Sequence, residues 1–377
     1  MTALRPDIDP DGLLEFSVVF TDRALNHMSA AFQQVMRDIH ATLCEVYRAE
    51  TACVVPGGGT YAMEAVARQI AGGEDVVVIR NGFFSYRWSQ IFETGGIPAS
   101  EAVLKARRTG NGTQAPFAPP PLGEAVAKIR EIRPAAVFAP HVETSSGIIL
   151  PDAYIRALVE AVHETGGLMV LDCIASGCAW VDMAATGVDI LLSAPQKGWS
   201  AQPSAGLVML SGRAVEAVKS RASSSFAIDL GKWLSIMEAY TSGGHAYHAT
   251  MPTDALRAFR DAMLETKAFG FDRLSEAQWE QGRRVRALLK ARGFASVAAE
   301  GVEAPGVVVC YTDDPEIRSG KAFAGQGVQI AAGVPLVCDE GPDFSTFRLG
   351  LFGLDKLREV DATVARLETA LDRVLSG

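Results

Sequence analysis

Six short apolar runs, at residues 52–55, 76–79, 135–139, 168–171, 190–193 and 206–210, constrain the fold of this chain more than any other feature. They are rich in Val, Ile and Leu and scarcely alternate with polar residues, the pattern of strands covered on both faces. Amphipathic stretches lie between several of them. Residues 60–71 place Ala62, Met63, Val66, Ala67 and Ile70 on one helical face. Residues 153–165 follow Pro151-Asp152 and stop at Gly166-Gly167, a helix start and stop in the expected order. This alternation predicts an α/β fold with a mainly parallel sheet and helices on both sides. Beyond about residue 253 the texture changes. Long helices are expected over 253–268 and 273–291, short strands over 306–311, 327–330 and 345–350, and a last helix over 355–375. The reading is a large domain over 1–255 and a smaller α+β domain over 256–377, with residues 1–25 bordering the smaller one.

Composition narrows the function. The 377 residues are 48% hydrophobic and 21% charged, ordinary globular values, with a formal net charge of −9. An acidic chain lacks the basic footprint of a nucleic-acid binder, although a few local donors suffice for a small anion. The longest apolar stretches are interrupted by Asp172, Asp182 and Asp189, so no membrane span is expected. The opening MTALRPDIDPDG has no apolar targeting core, and six cysteines without a CxxC pair read as reduced packing residues in a cytoplasmic protein.

Three features fall at successive strand ends. Pro56-Gly57-Gly58-Gly59-Thr60 joins a strand to a helix, where backbone N–H groups and the helix dipole can hold an anion. A tight turn of small residues reads the same way. The dinucleotide fingerprint also fits the spacing, but the next strand ends in Arg80-Asn81 rather than an acid. Asp172 closes an apolar strand, so its carboxylate needs a partner there; a helix cap or a loop salt bridge would account for it as well. Lys197, in Ser193-Ala194-Pro195-Gln196-Lys197-Gly198-Trp199, is either a solvated lysine or a partly desolvated, nucleophilic amine. Together, an anion cradle, a buried carboxylate and a lysine suit pyridoxal phosphate (PLP). Arg348, in an apolar strand, is a substrate-carboxylate clamp or one half of an internal ion pair. His141-Val142-Glu143 and His245-x-x-His248 lack zinc spacing and companion ligands, and no Gly-x-Ser-x-Gly elbow occurs.

From about Asn26 to the C-terminus the pattern resembles the class V, fold-type I PLP-dependent aminotransferases, within them the alanine/serine–glyoxylate group. The matching segments are PGGGTYAMEA (56–65), NGFFS (81–85), HVETSSGIILP (141–151), LDCIASG (171–177), DILLSAPQKGWS (189–200), YHAT (247–250) and FRLGLFG (347–353), in order. The resemblance implies a Schiff-base lysine at Lys197 and a pyridinium partner at Asp172. It implies phosphate donors at Gly58, Gly59, Thr60 and Gln196, and a ring stacked on the cofactor at Phe84. Thr144 falls near the phenolic oxygen, Ser176 behind the site, and Arg348 at the substrate carboxylate. Tyr247 and Thr250 match a pair reaching the phosphate of the neighbouring subunit, so a homodimer is implied. The implied reaction moves an amino group from a small amino acid to a 2-oxo acid such as glyoxylate or pyruvate. Two departures stand out. Residues 15–23 replace the Gly-Pro-rich segment usual in the group, and the acidic stretch 338–343 precedes Arg348. Alternatives are a class V lyase or desulfurase, for which Cys338 is the one cysteine near Arg348, a PLP-fold protein that binds without turnover, and a nicotinamide dehydrogenase.

Overall fold

Residues 3–376 are described in a computed structural model of the chain. Seven strands build the central sheet: β1 (Thr51–Pro56), β2 (Asp75–Arg80), β3 (Ser100–Lys105), β4 (Ala136–Pro140), β5 (Leu168–Asp172), β6 (Ile190–Ser193) and β7 (Ala205–Leu210). Their spatial order is β1-β7-β6-β5-β4-β2-β3. The pairings β2–β3, β2–β4, β4–β5 and β5–β6 are parallel, and β7 runs antiparallel to both of its neighbours. Strands β4 to β7 are buried along their whole length, as their unbroken apolar runs require. The sheet is sandwiched by helices, among them α1 (Ala30–Tyr47), α2 (Gly59–Ile70), α3 (Phe83–Gly95) and α4 (Asp152–Glu164). Ser29 starts α1 by accepting the Phe32 N–H at 3.1 Å, and Phe32, Val35, Met36, Ile39 and Leu43 face the core.

Two long helices follow, α5 (Thr253–Phe269) and α6 (Phe271–Ala291), joined at Gly270, whose φ of +104° allows the bend. α5 packs Leu256, Phe259 and Met263 into the large core. The N-terminal segment lies along α5: Arg257 donates to the Ile8 carbonyl at 2.6 Å, and the Leu25 N–H donates to Asp254 at 3.4 Å. A second, antiparallel sheet has the order β8 (Val307–Tyr311), β10 (Thr346–Gly350), β9 (Ala331–Ala332).

Two boundaries differ from expectation. The strand expected over 327–330 is absent, because Gly327 is left-handed (φ +76°) and its N–H closes the turn after the helix Lys321–Ala324 on the Ala324 carbonyl. The strand comes later, as β9. The last helix is interrupted at Glu359, whose φ −129° and ψ 58° are not helical, giving Leu354–Arg358 and α7 (Val360–Ser376).

The two sheets meet through a satellite core of Val142, Ile148 and Ile149 from a short hairpin after β4 with Val297, Val307, Val309 and Leu336. That contact fixes the carboxyl edge of the large sheet against β10, which carries Arg348.

Candidate active site

Asp172 ends β5 almost fully buried. The Ile174 N–H donates to its Oδ1 at 2.9 Å, and Oδ2 receives no donor among the described residues. Burial pushes the carboxyl up to about 7; the Ile174 N–H opposes this, Glu143 reinforces it, and Arg87 opposes it. On the adjacent parallel strand, Leu192 of β6 pairs with Asp172, and the chain then turns through Lys197. Gly198 allows that turn to seat, since a Cβ there would fall 2.1 Å from the Gly177 carbonyl oxygen. Trp199 is buried beside Trp180 and anchors the far side. Lys197 is half-buried, its amine lies 5.4 Å from the centre of the Phe352 ring, and it makes no hydrogen bond among the described residues. Burial, and then the charge of Arg348, lower its pKa.

The glycine loop closes on the same place. Gly57 has φ +122° and donates to the Ser204 carbonyl at 3.1 Å. Tyr61 and Ala62 N–H groups both return to the Gly58 carbonyl, so the N–H groups of Gly59 and Thr60 open the helix without acceptors among the described residues. A Cβ on Gly59 would sit 2.5 Å from Ile174 Cδ1, so the loop packs directly against the residue that binds Asp172.

Glu143 organises the opposite wall. Fully buried, it accepts from the Phe84 N–H at 3.1 Å, the Ser85 N–H at 2.9 Å and Ser85 Oγ at 2.7 Å. It also accepts from the Ser145 N–H at 3.0 Å and Ser145 Oγ at 2.8 Å. A carboxylate at the first turn of α3 satisfies amides that the helix leaves open and suits its dipole. Phe84 is thereby fixed with the guanidinium of Arg348 5.6 Å and that of Arg87 5.4 Å from its ring centre. Arg348 donates through Nε to the Ala332 carbonyl at 2.8 Å and has no carboxylate within ion-pair distance among the described residues. Burial lowers its pKa, and Glu143 opposes that. Thr144 is half-buried next to Glu143. Ser176 is buried with its Oγ 2.7 Å from His141 Nδ1, and burial holds that imidazole down to about 4, neutral near pH 7.

These contacts link the glycine loop to Asp172 through Ile174, Phe84 to Arg348 through their stacking, and Lys197 to Arg348 through its charge. Gln196 is exposed beside Lys197. Tyr247 and Thr250 bond each other, hydroxyl to hydroxyl at 3.1 Å, and among the described residues no hydrogen bond joins them to the other site residues. The acidic stretch is occupied internally: Asp339 pairs with Lys105 at 2.8 Å, and Glu340 accepts from the Leu336, Val337 and Cys338 N–H groups at 2.7, 3.0 and 2.8 Å. Cys338 is buried, its thiol pushed up to about 12, which disfavours a nucleophilic thiolate. Sequence reasoning missed two contributors. Glu143 was considered only as a metal ligand, for which it lacks the spacing, and Arg87 was not singled out although its spacing of three from Phe84 puts both on one helical face.

The family model for aminotransferase class V matches residues 15–335. A 2-aminoethylphosphonate–pyruvate transaminase of Paraburkholderia phymatum is 28% identical over 354 residues, covering 92% of this chain and 90% of its own. The alanine–glyoxylate aminotransferase of Felis catus is 27% identical over 373 residues, covering 93% and 82%. Among solved structures, the alanine–glyoxylate aminotransferase of Nostoc sp. superposes with a TM-score of 0.78 at 24% identity, covering 93% of this chain and 89% of that one. A subgroup IV aspartate aminotransferase of Thermus thermophilus gives 0.75 at 26% identity, covering 93% of both.

Proposed function

The chain belongs to the aminotransferase class-V family, and from that premise we propose that it is a PLP-dependent transaminase taking its amino group from a small amino acid of the alanine or serine kind and passing it to glyoxylate or pyruvate. The observation that carries this is the convergence of a half-buried, unbonded Lys197 amine, a buried Asp172 carboxylate with one oxygen undonated, and the open amides of Gly59 and Thr60. Those residues fit PLP: an amine for its aldehyde, an anion for its ring nitrogen, and N–H donors for its phosphate. Bound there, the cofactor supplies an electron sink for the bond broken at the substrate Cα.

The chain's own residues do the rest. Asp172 holds a proton at the ring nitrogen, because an ion pair relieves the burial that otherwise raises its pKa. Lys197, its pKa lowered, is unprotonated more often near neutral pH than a solvated lysine and so is free to move the proton at the substrate Cα. Arg348, tethered by Nε to Ala332, keeps its two Nη groups for a bidentate grip on the substrate carboxylate. Phe84 would cover one face of the cofactor ring, Thr144 would lie by its phenolic oxygen, and Gly58, Gly59, Thr60 and Gln196 would hold the phosphate. Ser176, bonded to His141 behind Asp172, keeps that wall rigid.

In this reading the enzyme works as a homodimer, with Tyr247 and Thr250 of each subunit completing the neighbouring site. Support comes from their exposure in the single chain, together with that of Phe226, which packs on His248. Six unpaired thiols suit a reducing cytoplasmic setting. The packing of α5 on the large core favours a boundary between the two domains at Gly270, beyond the break expected at 255. The test is a panel of amino acids, each offered with glyoxylate or pyruvate, followed by the oxo acid released. Transfer from alanine or serine is expected. Transfer confined to donors without a carboxylate would remove the role given to Arg348.

A further inference from the structure

We infer that Arg87 selects the phosphorylated cofactor, supplying the positive charge that the glycine loop lacks. The inference rests on the transaminase reading above and adds a residue to it. Arg87 lies on α3, one turn beyond Phe84. Its Nη1 donates to Thr60 Oγ1 at 3.1 Å, and Thr60 is the second residue of α2, where two backbone N–H groups stand open. The nearby surface arginines Arg68 and Arg107 pair with Glu64 and Glu124. Arg87 has no such partner among the described residues; its one hydrogen-bond acceptor is a neutral hydroxyl, and its other neighbour is the Phe84 ring. A guanidinium has five donors, so four remain after Thr60 is served.

Charge accounting at the site points the same way. A phosphate monoester carries about −1.5 to −2 near pH 7. Backbone amides and a threonine hydroxyl bring dipoles but no net charge. Of the other cations near the site, Lys197 would be taken up by the cofactor's aldehyde, and Arg348 lies beside β9 with Glu143 as its nearby anion. Arg80 is turned away, bonded to Ser89 and stacked on Tyr86. Arg87 is the cation left at the mouth of the glycine loop, and its charge is felt as far as Asp172. Its face-on contact with Phe84 sets its height over the loop, so one residue of α3 covers the ring and the next turn reaches the phosphate.

The experiment compares PLP with pyridoxal, which has the same ring and aldehyde but no phosphate, as ligands of the full-length chain freed of cofactor. Binding is followed by quenching of tryptophan fluorescence and by the visible band. Arg87→Gln is expected to weaken PLP by about 10- to 100-fold, the loss of a charged hydrogen bond, and to leave pyridoxal within about twofold of wild type. Unchanged PLP affinity would overturn the inference. If Arg87→Gln loses both ligands, Arg87→Lys decides: a preference for PLP restored to within about tenfold of wild type upholds the role. A lysine variant that binds pyridoxal without that preference, or neither ligand, assigns Arg87 to the fold and overturns it. Failure of the wild-type chain to bind PLP at all is a different result, and it removes the transaminase reading itself.

Discussion

Asp172 joins a cost in stability to a role in chemistry. In the folded chain its carboxyl is held up to about 7, against an ordinary value of 3.8. Folding therefore takes up a proton between those two values. The stability tied to this group is full below about pH 4 and is lost as pH rises through about 7, a difference on the order of 4 kcal/mol. Asp172→Asn keeps an acceptor for the Ile174 N–H and removes the charge. The cofactor-free variant should melt above the cofactor-free wild type at pH 8, with the two curves converging toward pH 4. Parallel melting temperatures across that range would show that the carboxylate is not penalised by burial. The same substitution should cost about three orders of magnitude in turnover of the loaded enzyme, roughly 4 kcal/mol of barrier, because the ring nitrogen then has no anion to hold its proton. Burial that weakens the empty fold is what gives this carboxylate its strong demand for a cationic partner.

The legible elements were those whose burial leaves a one-dimensional trace. β1, β2, β4, β5, β6 and β7 are covered on both faces and show as apolar runs, and α2 and α4 as amphipathic stretches with glycine or proline at their ends. β3 escaped because, unlike the buried edge strand β1, it is half-exposed: the polar residues of Ser100-Glu101-Ala102-Val103-Leu104-Lys105 hide the pattern. β9 is two exposed alanines paired to Arg348 and Phe347, a strand made by its partner rather than by its own residues. The site divides along the same line. Lys197, Asp172 and the glycine loop follow strand ends, where a parallel sheet places its ligands, and their convergence could be argued from order alone. Glu143 could not, since its five hydrogen bonds come from α3 and the turn at Ser145, brought together by the fold. A buried carboxylate reads in sequence as an ordinary polar residue until its donors are seen.

At the scale of the whole molecule, the two sheets share a core that sets Arg348 opposite Phe84 and Glu143, so the substrate grip proposed for Arg348 would depend on how the C-terminal sheet seats on the large one. In the proposed homodimer, Tyr247 and Thr250 of each subunit would complete the neighbouring site. If they serve the neighbouring site, chains carrying Lys197→Ala and chains carrying Tyr247→Ala with Thr250→Ala are each inactive alone. Mixed and allowed to exchange subunits, they form heterodimers in which one site has both an intact lysine and an intact hydroxyl pair. Activity should then return; a mixture as inactive as its parts would place the pair's action within its own chain. Central to the whole account is the Lys197 amine, and the visible absorption spectrum of the purified protein supplied with PLP tests it most directly. A yellow band that borohydride fixes to the chain, that Lys197→Ala lacks, and that an amino donor bleaches until glyoxylate or pyruvate restores it is the predicted result. A chain that shows no band with PLP in excess, or one whose band persists without Lys197, would contradict it.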